Sequence, residues 1–466
     1  MRVVGIIAEY DPFHNGHAYH LKKAVEMTGA QAAVAVISGS FTQRGSAAFY
    51  DKGARTAAAL AAGADLVLEL PHIYACNAGA EFAYGAMAVL EGTGVVTDLV
   101  FGSECGDISL LKEAAEISAA GRSEEYGVSD TGREIGRGDG GAGQGTGREA
   151  GGGILEKEEG TETENRGEGK DQEGRKLLLS REIQKRIRAG LSYPAAFGQA
   201  VSEVWGSAAG NVFQNPNDVL GIGYLSALKN LGSKIEPHCI ARTGAGHRER
   251  RTGDADTQTK FAGSGSIASG TALRKLIREK GIGAAADYLP EEVLRIFQGS
   301  SPFPGDENLY PFLRYRLLTA EESRLREIYS VTEGIENRMK AAALVSDSYS
   351  EYMRAVKTRR YTWAQIQRMN LHVLMDFTQE QYRRLRGVSY ARVLGFSAKG
   401  SKLLRRMRKE GSAEIISNLS GISNLKPRTE EALRIEMKAS NLRNLFLKRS
   451  LSEFSERKFV PLKGLQ

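Results

Sequence analysis

The chain has 466 residues, 41% of them hydrophobic, and a net charge of +7, which gives room for about three domains with real cores. Glu9 interrupts the apolar run of "MRVVGIIAEYDPF" before a signal-peptide core is complete, and no stretch of 18 uncharged apolar residues follows; a soluble, cytoplasmic protein with no membrane partner is the expectation. Cys76, Cys105 and Cys239 are few and widely spaced, so neither a disulfide framework nor a metal knuckle is on offer, as in a reducing compartment.

In chain order, "VVGIIAE" reads as a buried strand, "HAYHLKKAVEM" as a helix, "AAVAVIS" as a strand, "DKGARTAAALAAG" as a helix closed by Gly63, and "DLVLEL" as a strand. The alternation continues through "AEFAYGAMAVLEG" to "VTDLVFGSE". Strands that are apolar along their whole length and separated by helices predict a doubly wound parallel sheet, with ligands at the carboxyl ends of the strands. Residues 121–174 are Gly-, Glu- and Arg-rich with hardly any large apolar side chain, which predicts a disordered insertion. Helices resume at "KLLLSREIQKRIRAG" and "DVLGIGYLSALKNLG", followed by a strand at "SKIEPHCIAR". "IASGTALRKLIREKG" predicts a short helix capped by Ser269 or Thr271 and carrying Arg274. Beyond about Pro290 apolar residues recur at three- and four-residue spacing, which predicts an α-helical region. The expected division is an α/β domain over 1–285 and a basic helical domain over 286–466.

From Gln381 to Gln466 there are 20 Lys or Arg against 7 Asp or Glu, net +13, so the rest of the chain sums to 7 − 13 = −6. A basic tail on an acidic protein is the footprint of a polyanion-binding module, or else a solvated helical face.

Three of the seven histidines lie in "EYDPFHNGHAYHLKKA". His14 and His17 fall at the end of the first strand and the opening turn of the first helix, where unpaired N–H groups and the helix dipole favour an anion. Gly16 lets the backbone approach a ligand, and imidazoles three apart on one helical face can donate to the same phosphate oxygens. HxxH spacing also suits a metal, but no Cys or second His cluster completes a zinc set. The loop "SGSFTQRGSAAFYDKGART", with Gln43, Arg44, Lys52 and Arg55, follows the second strand on the same edge, and Arg44 among small polar residues is a candidate to hold acetate or phosphate.

A strand followed by (H/T)xGH resembles the nucleotidyltransferase superfamily. The ordered stretches "GIIAEYDPFHNGHAYHL", "ISGSFTQRG", "GADLVLELP", "FGSE", "PNDVLGIGYL", "IASGTALR", "YPFLRYRLL", "EGIENRMKAAA", "RRYTWAQIQRM" and "RVLGFSAKG" resemble the bacterial tRNA(Met) cytidine acetate ligases along nearly the whole chain outside the Gly-rich insertion. The resemblance implies an enzyme that adenylates acetate with ATP, releasing pyrophosphate. It then acetylates the exocyclic amine of the wobble cytidine of elongator tRNA(Met), giving N4-acetylcytidine, with Mg²⁺ accompanying the ATP. It implies ATP contacts from Ile7, Ala8, Glu9, Tyr10, Asp11, Pro12, Phe13, His14, Asn15, Gly16, His17, Ala18, Tyr19 and His20, and from Gly102, Asn217 and Arg242. His14 and His17 would be catalytic, facing the phosphates, with Ser269, Thr271 and Arg274 near the triphosphate. Asp11 departs from the family's usual Asn. The basic region would grip tRNA through Arg359, Arg360, Arg368, Arg383, Arg384, Arg386, Arg405, Arg406 and Arg408, with Tyr361 available to stack on an unpaired base. Acetate attacks ATP directly, so no Ser/His/Asp or Cys/His nucleophile is needed. Two other readings stay open: a small-molecule adenylyltransferase of the same superfamily, and a non-catalytic tRNA-binding protein with a retained nucleotide pocket.

Overall fold

Short apolar runs rich in Val and Ile form the central strands, because stiff β-branched side chains pack well on a pleated surface buried on both faces. The computed structural model describes residues 1–122, 166–191, 193–242, 259–261, 264–387, 390–419, 421–448 and 462–463. It opens β1 (Val3–Ala8), α1 (Asn15–Thr28), β2 (Ala32–Ser38), α2 (Lys52–Ala61), β3 (Leu66–Leu70), α3 (His72–Ala75), α4 (Gly79–Gly92), β4 (Asp98–Ser103) and α5 (Ile108–Arg122). Next come α6 (Arg166–Arg188), α7 (Tyr193–Trp205), α8 (Ser207–Val212), α9 (Pro216–Asn230), β5 (Glu236–Ala241), β6 (Thr259–Phe261), β7 (Ser264–Ile267), α10 (Gly270–Lys280) and α11 (Glu291–Gln298). The remainder is α12 (Tyr310–Thr319), α13 (Glu322–Glu327), α14 (Ile335–Val345), α15 (Tyr349–Val356), α16 (Trp363–Met375), α17 (Gln379–Leu385), β8 (Tyr390–Phe396), α18 (Ala398–Glu410), β9 (Glu414–Ile416), α19 (Pro427–Phe446) and β10 (Leu462–Lys463).

The chain forms two compact units, Met1–Ala115 with Val212–Gln466, and Glu116–Asn211. In the smaller unit Leu179 and Ile183 of α6 and Ala196, Phe197, Ala200 and Val201 of α7 are buried, and Arg186 bridges Glu182 and Glu203. Of the expected insertion, 123–165 lie outside the described residues, and 166–174 are the first turns of α6 rather than coil.

In the larger unit the sheet runs β10-β8-β3-β2-β1-β4-β5, with β9 beside β8. The five strands from β3 to β5 are parallel, as the α/β alternation predicts. The direction of winding reverses at β1 and β4, so the ligand crevice opens beyond Ala8 and Ser103. The C-terminal region is helical for most of its length, yet it also gives the sheet β8, antiparallel to β3. "YARVLGF" is buried almost throughout and covers a sheet edge that would otherwise offer unpaired backbone groups.

Buried polar pairs tie this C-terminal part to the strand ends. Glu69 accepts Lys52 Nζ at 2.7 Å and lies 3.3 Å from Arg392 Nε of β8. Glu436 of α19 accepts the His72 N–H, and burial next to Glu69 pushes its carboxyl well above the usual range. Arg443, also on α19, donates to the carbonyls of Ala48 and Phe49 in the loop after β2.

Candidate nucleotide site

Helix α1 begins directly beyond the crevice, and His14 is its N-cap. The His14 and His17 rings stack at 3.8 Å, and the backbone N–H of His14 donates to His17 Nδ1 at 3.3 Å. A nitrogen that accepts a hydrogen bond carries no proton, so neutral His17 must hold its hydrogen on Nε2. Tyr10 and Phe13 wall the ring at centroid distances of 5.0 and 5.5 Å. Gly16 is required by this packing: a Cβ there would lie 2.9 Å from His14 Cε1.

Burial lowers the pKa of His14 and His20 to about 4 and that of His17 well below its ordinary value, and the Arg242 cation pushes all three the same way. The cluster is therefore a set of neutral donors and acceptors at pH 7. His14 Nδ1 and His20 Nε2 are buried without a hydrogen-bond partner, a costly condition that a ligand's polar atoms can relieve. Arg242, at the end of β5, is half-exposed and 3.9 Å from Glu104; Gly102 sits against its side chain.

Several residues expected at the ligand make hydrogen bonds that hold the site's frame. Asn15 donates both amide hydrogens to the carbonyls of Ser266 and Asp287, at 3.1 and 3.0 Å, because two carbonyls meet the start of α1 there. Arg55 is fully buried and donates to the carbonyls of Glu9, Ser38, Gly39 and Tyr50. Lys52 is paired with Glu69, which leaves Arg44, exposed on the same loop, as its available cation. Ser269 caps α10 by accepting the Ala272 N–H at 3.2 Å. Arg274 donates to the carbonyl and carboxylate of Asp11 and to Thr271 Oγ1.

That contact also accounts for Asp11. One carboxylate oxygen accepts the Phe49 N–H and the other faces Arg274 at 3.3 Å, so Asp11 joins the first motif, the β2 loop and α10. Glu9 accepts the Gln43 N–H at 2.6 Å, and burial raises its pKa.

"FGSE" and "PNDVLG" lock reciprocally. Glu104 accepts the N–H groups of Asn217 and Asp218 at the start of α9 and the Asn217 amide at 2.6 Å. Asp218 accepts Ser103 Oγ and the N–H groups of Glu104 and Cys105. Reading the sequence singled out Asn217 and missed Glu104 and Asp218, although an acidic residue in each motif was the available signal.

Among the expected RNA contacts, Arg359, Arg383, Arg405 and Arg408 are exposed. Others are engaged: Arg360 pairs with Glu333, Arg384 with Glu431, Arg386 with Glu81 and Arg406 with Glu410. Arg368 is half-buried and donates to the Gln43 carbonyl at 3.3 Å. The Tyr361 hydroxyl is held by Glu333 and the Thr332 carbonyl, and its ring packs on the core, so it is not a free stacking surface.

Comparison with known proteins places the whole chain in a family. The HIGH Nucleotidyl Transferase family matches residues 1–128 and 167–458. The chain is 33% identical over 461 residues to a tRNA(Met) cytidine acetate ligase of Bacillus licheniformis, covering 96% of this chain and 93% of that one. It is 32% identical to that of Geobacillus sp. (strain WCH70), over 91% and 90%. The crystal structure of Thermotoga maritima TmcAL bound with alpha-thio ATP superposes with a TM-score of 0.77 at 29% identity, covering 99% of this chain and all of that one. The apo form gives 0.79 at 30% identity, over 99% of each. By this end-to-end similarity the chain belongs to the HIGH nucleotidyl transferases and, among them, to the tRNA(Met) cytidine acetate ligase family.

Proposed function

We propose that the protein is an ATP-dependent acetate ligase that forms acetyl-adenylate and passes the acetyl group to the exocyclic amine of the wobble cytidine of elongator tRNA(Met). In the first step an acetate oxygen attacks the α-phosphorus and pyrophosphate leaves. In the second the cytidine amine attacks the acetyl carbon, AMP leaves, and the amine loses a proton. The observation that carries the reading is His17 at the start of α1, its ring stacked on His14 at 3.8 Å and its Nδ1 taken up by the His14 N–H, which leaves its proton on Nε2. A positioned donor, a cation and a helix N-terminus suit the charge that develops on a triphosphate under attack.

Arg44 is proposed to meet acetate or the phosphates, because it stands exposed on the loop whose backbone Glu9 holds. Mg²⁺ accompanies the triphosphate in this reading, bound by phosphate oxygens and water; Asp11, with both carboxylate oxygens engaged, is not its ligand. Exchange of labelled pyrophosphate into ATP that requires acetate tests the first step, and N4-acetylcytidine in tRNA(Met) by mass spectrometry tests the second. Exchange without acetate, or with a larger acid alone, overturns the substrate assignment.

A further inference from the structure

Tryptophan is on average a highly buried residue, yet Trp363 is 48% exposed. It is the first residue of α16, whose start is fixed by Thr362 accepting the Gln365 N–H at 3.3 Å while Gln365 Oε1 accepts the Thr362 N–H. The ring is therefore held on a rigid turn and presented outward. Lys357 Nζ lies over one face of the ring, 5.7 Å from its centroid, and donates to the Thr358 carbonyl; in the segment between them Arg359 is exposed and Arg360 pairs with Glu333.

The same helix touches the nucleotide edge one and a half turns later. Gly45, with φ +87°, lies so close that a Cβ there would be 2.7 Å from Arg368 N, and Arg368 donates to the Gln43 carbonyl. Gln43 in turn is bound to Glu9 at the end of β1. Five residues of helix separate Trp363 from Arg368, about 7.5 Å along the axis. An exposed aromatic surface with Lys357 over one face and Arg359 nearby in sequence thus stands at one end of a rigid strut whose other part carries the loop beside the strand ends.

We infer that Trp363 is the stacking platform for an unpaired base of the tRNA anticodon loop, with Lys357 and Arg359 at its phosphates, and so sets how the wobble cytidine is delivered to the nucleotide edge. Bases splayed from a loop are held by stacking on aromatic side chains, and their phosphates by neighbouring cations. The inference rests on the tRNA reading above and names the surface through which it acts.

Two variants separate stacking from packing. Trp363→Phe keeps an aromatic face; Trp363→Leu keeps apolar bulk and loses it. Binding of tRNA(Met) transcript to the full chain at fixed salt is expected to weaken about tenfold for Trp363→Leu and less than about threefold for Trp363→Phe, with both melting like the parent. Equal affinities for the two variants overturn the inference. So does a change in oligomeric state with unchanged tRNA affinity, which would make Trp363 a contact between copies of the chain. If the unsubstituted protein binds no tRNA(Met), the functional reading falls with it, and that result is distinct from binding that ignores position 363.

Discussion

At the start of α1 three imidazoles stand within two turns and burial disfavours their charged form, whereas the last 86 residues hold 20 Lys or Arg and several of those charges are already paired within the chain. Arg392 and Arg443 are 2% exposed, one facing Glu69 and the other two carbonyls; Arg384, Arg386 and Arg406 have carboxylate partners. Anion affinity is thus not read from residue counts. Burial favours the uncharged form of the histidines, with His17 a donor of fixed direction, and pairing with carboxylates takes up cations that the sequence counts as free.

The largest expected effect falls on the buried cations. Arg392→Ala takes from Glu69 one of its two buried cationic neighbours and leaves it with Lys52 alone; in a dry site this should cost about 3 kcal/mol of stability, read from denaturant midpoints. Arg392→Met, of similar volume, would cost as much if only the lost charge matters. Little loss from either would mean that β8 is held by its backbone ladder and apolar packing alone.

At the phosphate edge His17→Ala removes one directed donor and should lower acetate-dependent pyrophosphate exchange by about 10²–10³ in kcat, as for other single donors aimed at developing charge. His17→Gln keeps a neutral donor and should recover part of the loss. Full recovery by His17→Lys would instead show that positive charge, not direction, is what the edge supplies.

Sorting the tail's arginines tests the other half of the contrast. Replacing any one of exposed Arg383, Arg405 or Arg408 by Ala should weaken tRNA binding and reduce the salt slope by about 1 where that side chain meets a phosphate. The paired Arg384 and Arg406 should change it less. Equal slopes across the five would mean that the surface ion pairs open on binding.

How much of this was legible in the chain follows from how local each feature is. β1 to β4 and the start of α1 rest on short apolar runs and one compact motif, so the crevice and its histidines were readable from neighbours in sequence. β8 was not, because a seven-residue, mostly apolar run broken by Arg392 and set among helical periodicities looks the same in either state until β3 supplies a partner. The Glu104–Asp218 lock spans more than a hundred residues, and Arg55 resembles any exposed helix-start arginine until Ser38, Gly39 and Tyr50 close around it. Asp11 belongs to the same class: its charge makes sense once Arg274 is seen to reach it.

The smallest expected signal concerns protons rather than affinity, and it tests the neutral state directly. A histidine whose pKa is lowered to about 4 is uncharged at every pH above that value, whereas an ordinary exposed imidazole titrates near 6.5. Imidazole carbon resonances assigned to His14 and His20 in the free protein should hold their neutral positions from pH 8 down to about 5.5 and move only as pH approaches 4. Arg242→Gln removes the cation that disfavours their protonation, so both should then titrate at higher pH, by less than the part due to burial, which is the larger cause. A midpoint near 6.5 in the unsubstituted protein would mean that water reaches the rings freely, and the edge would then hold phosphate by charge, as the basic tail does.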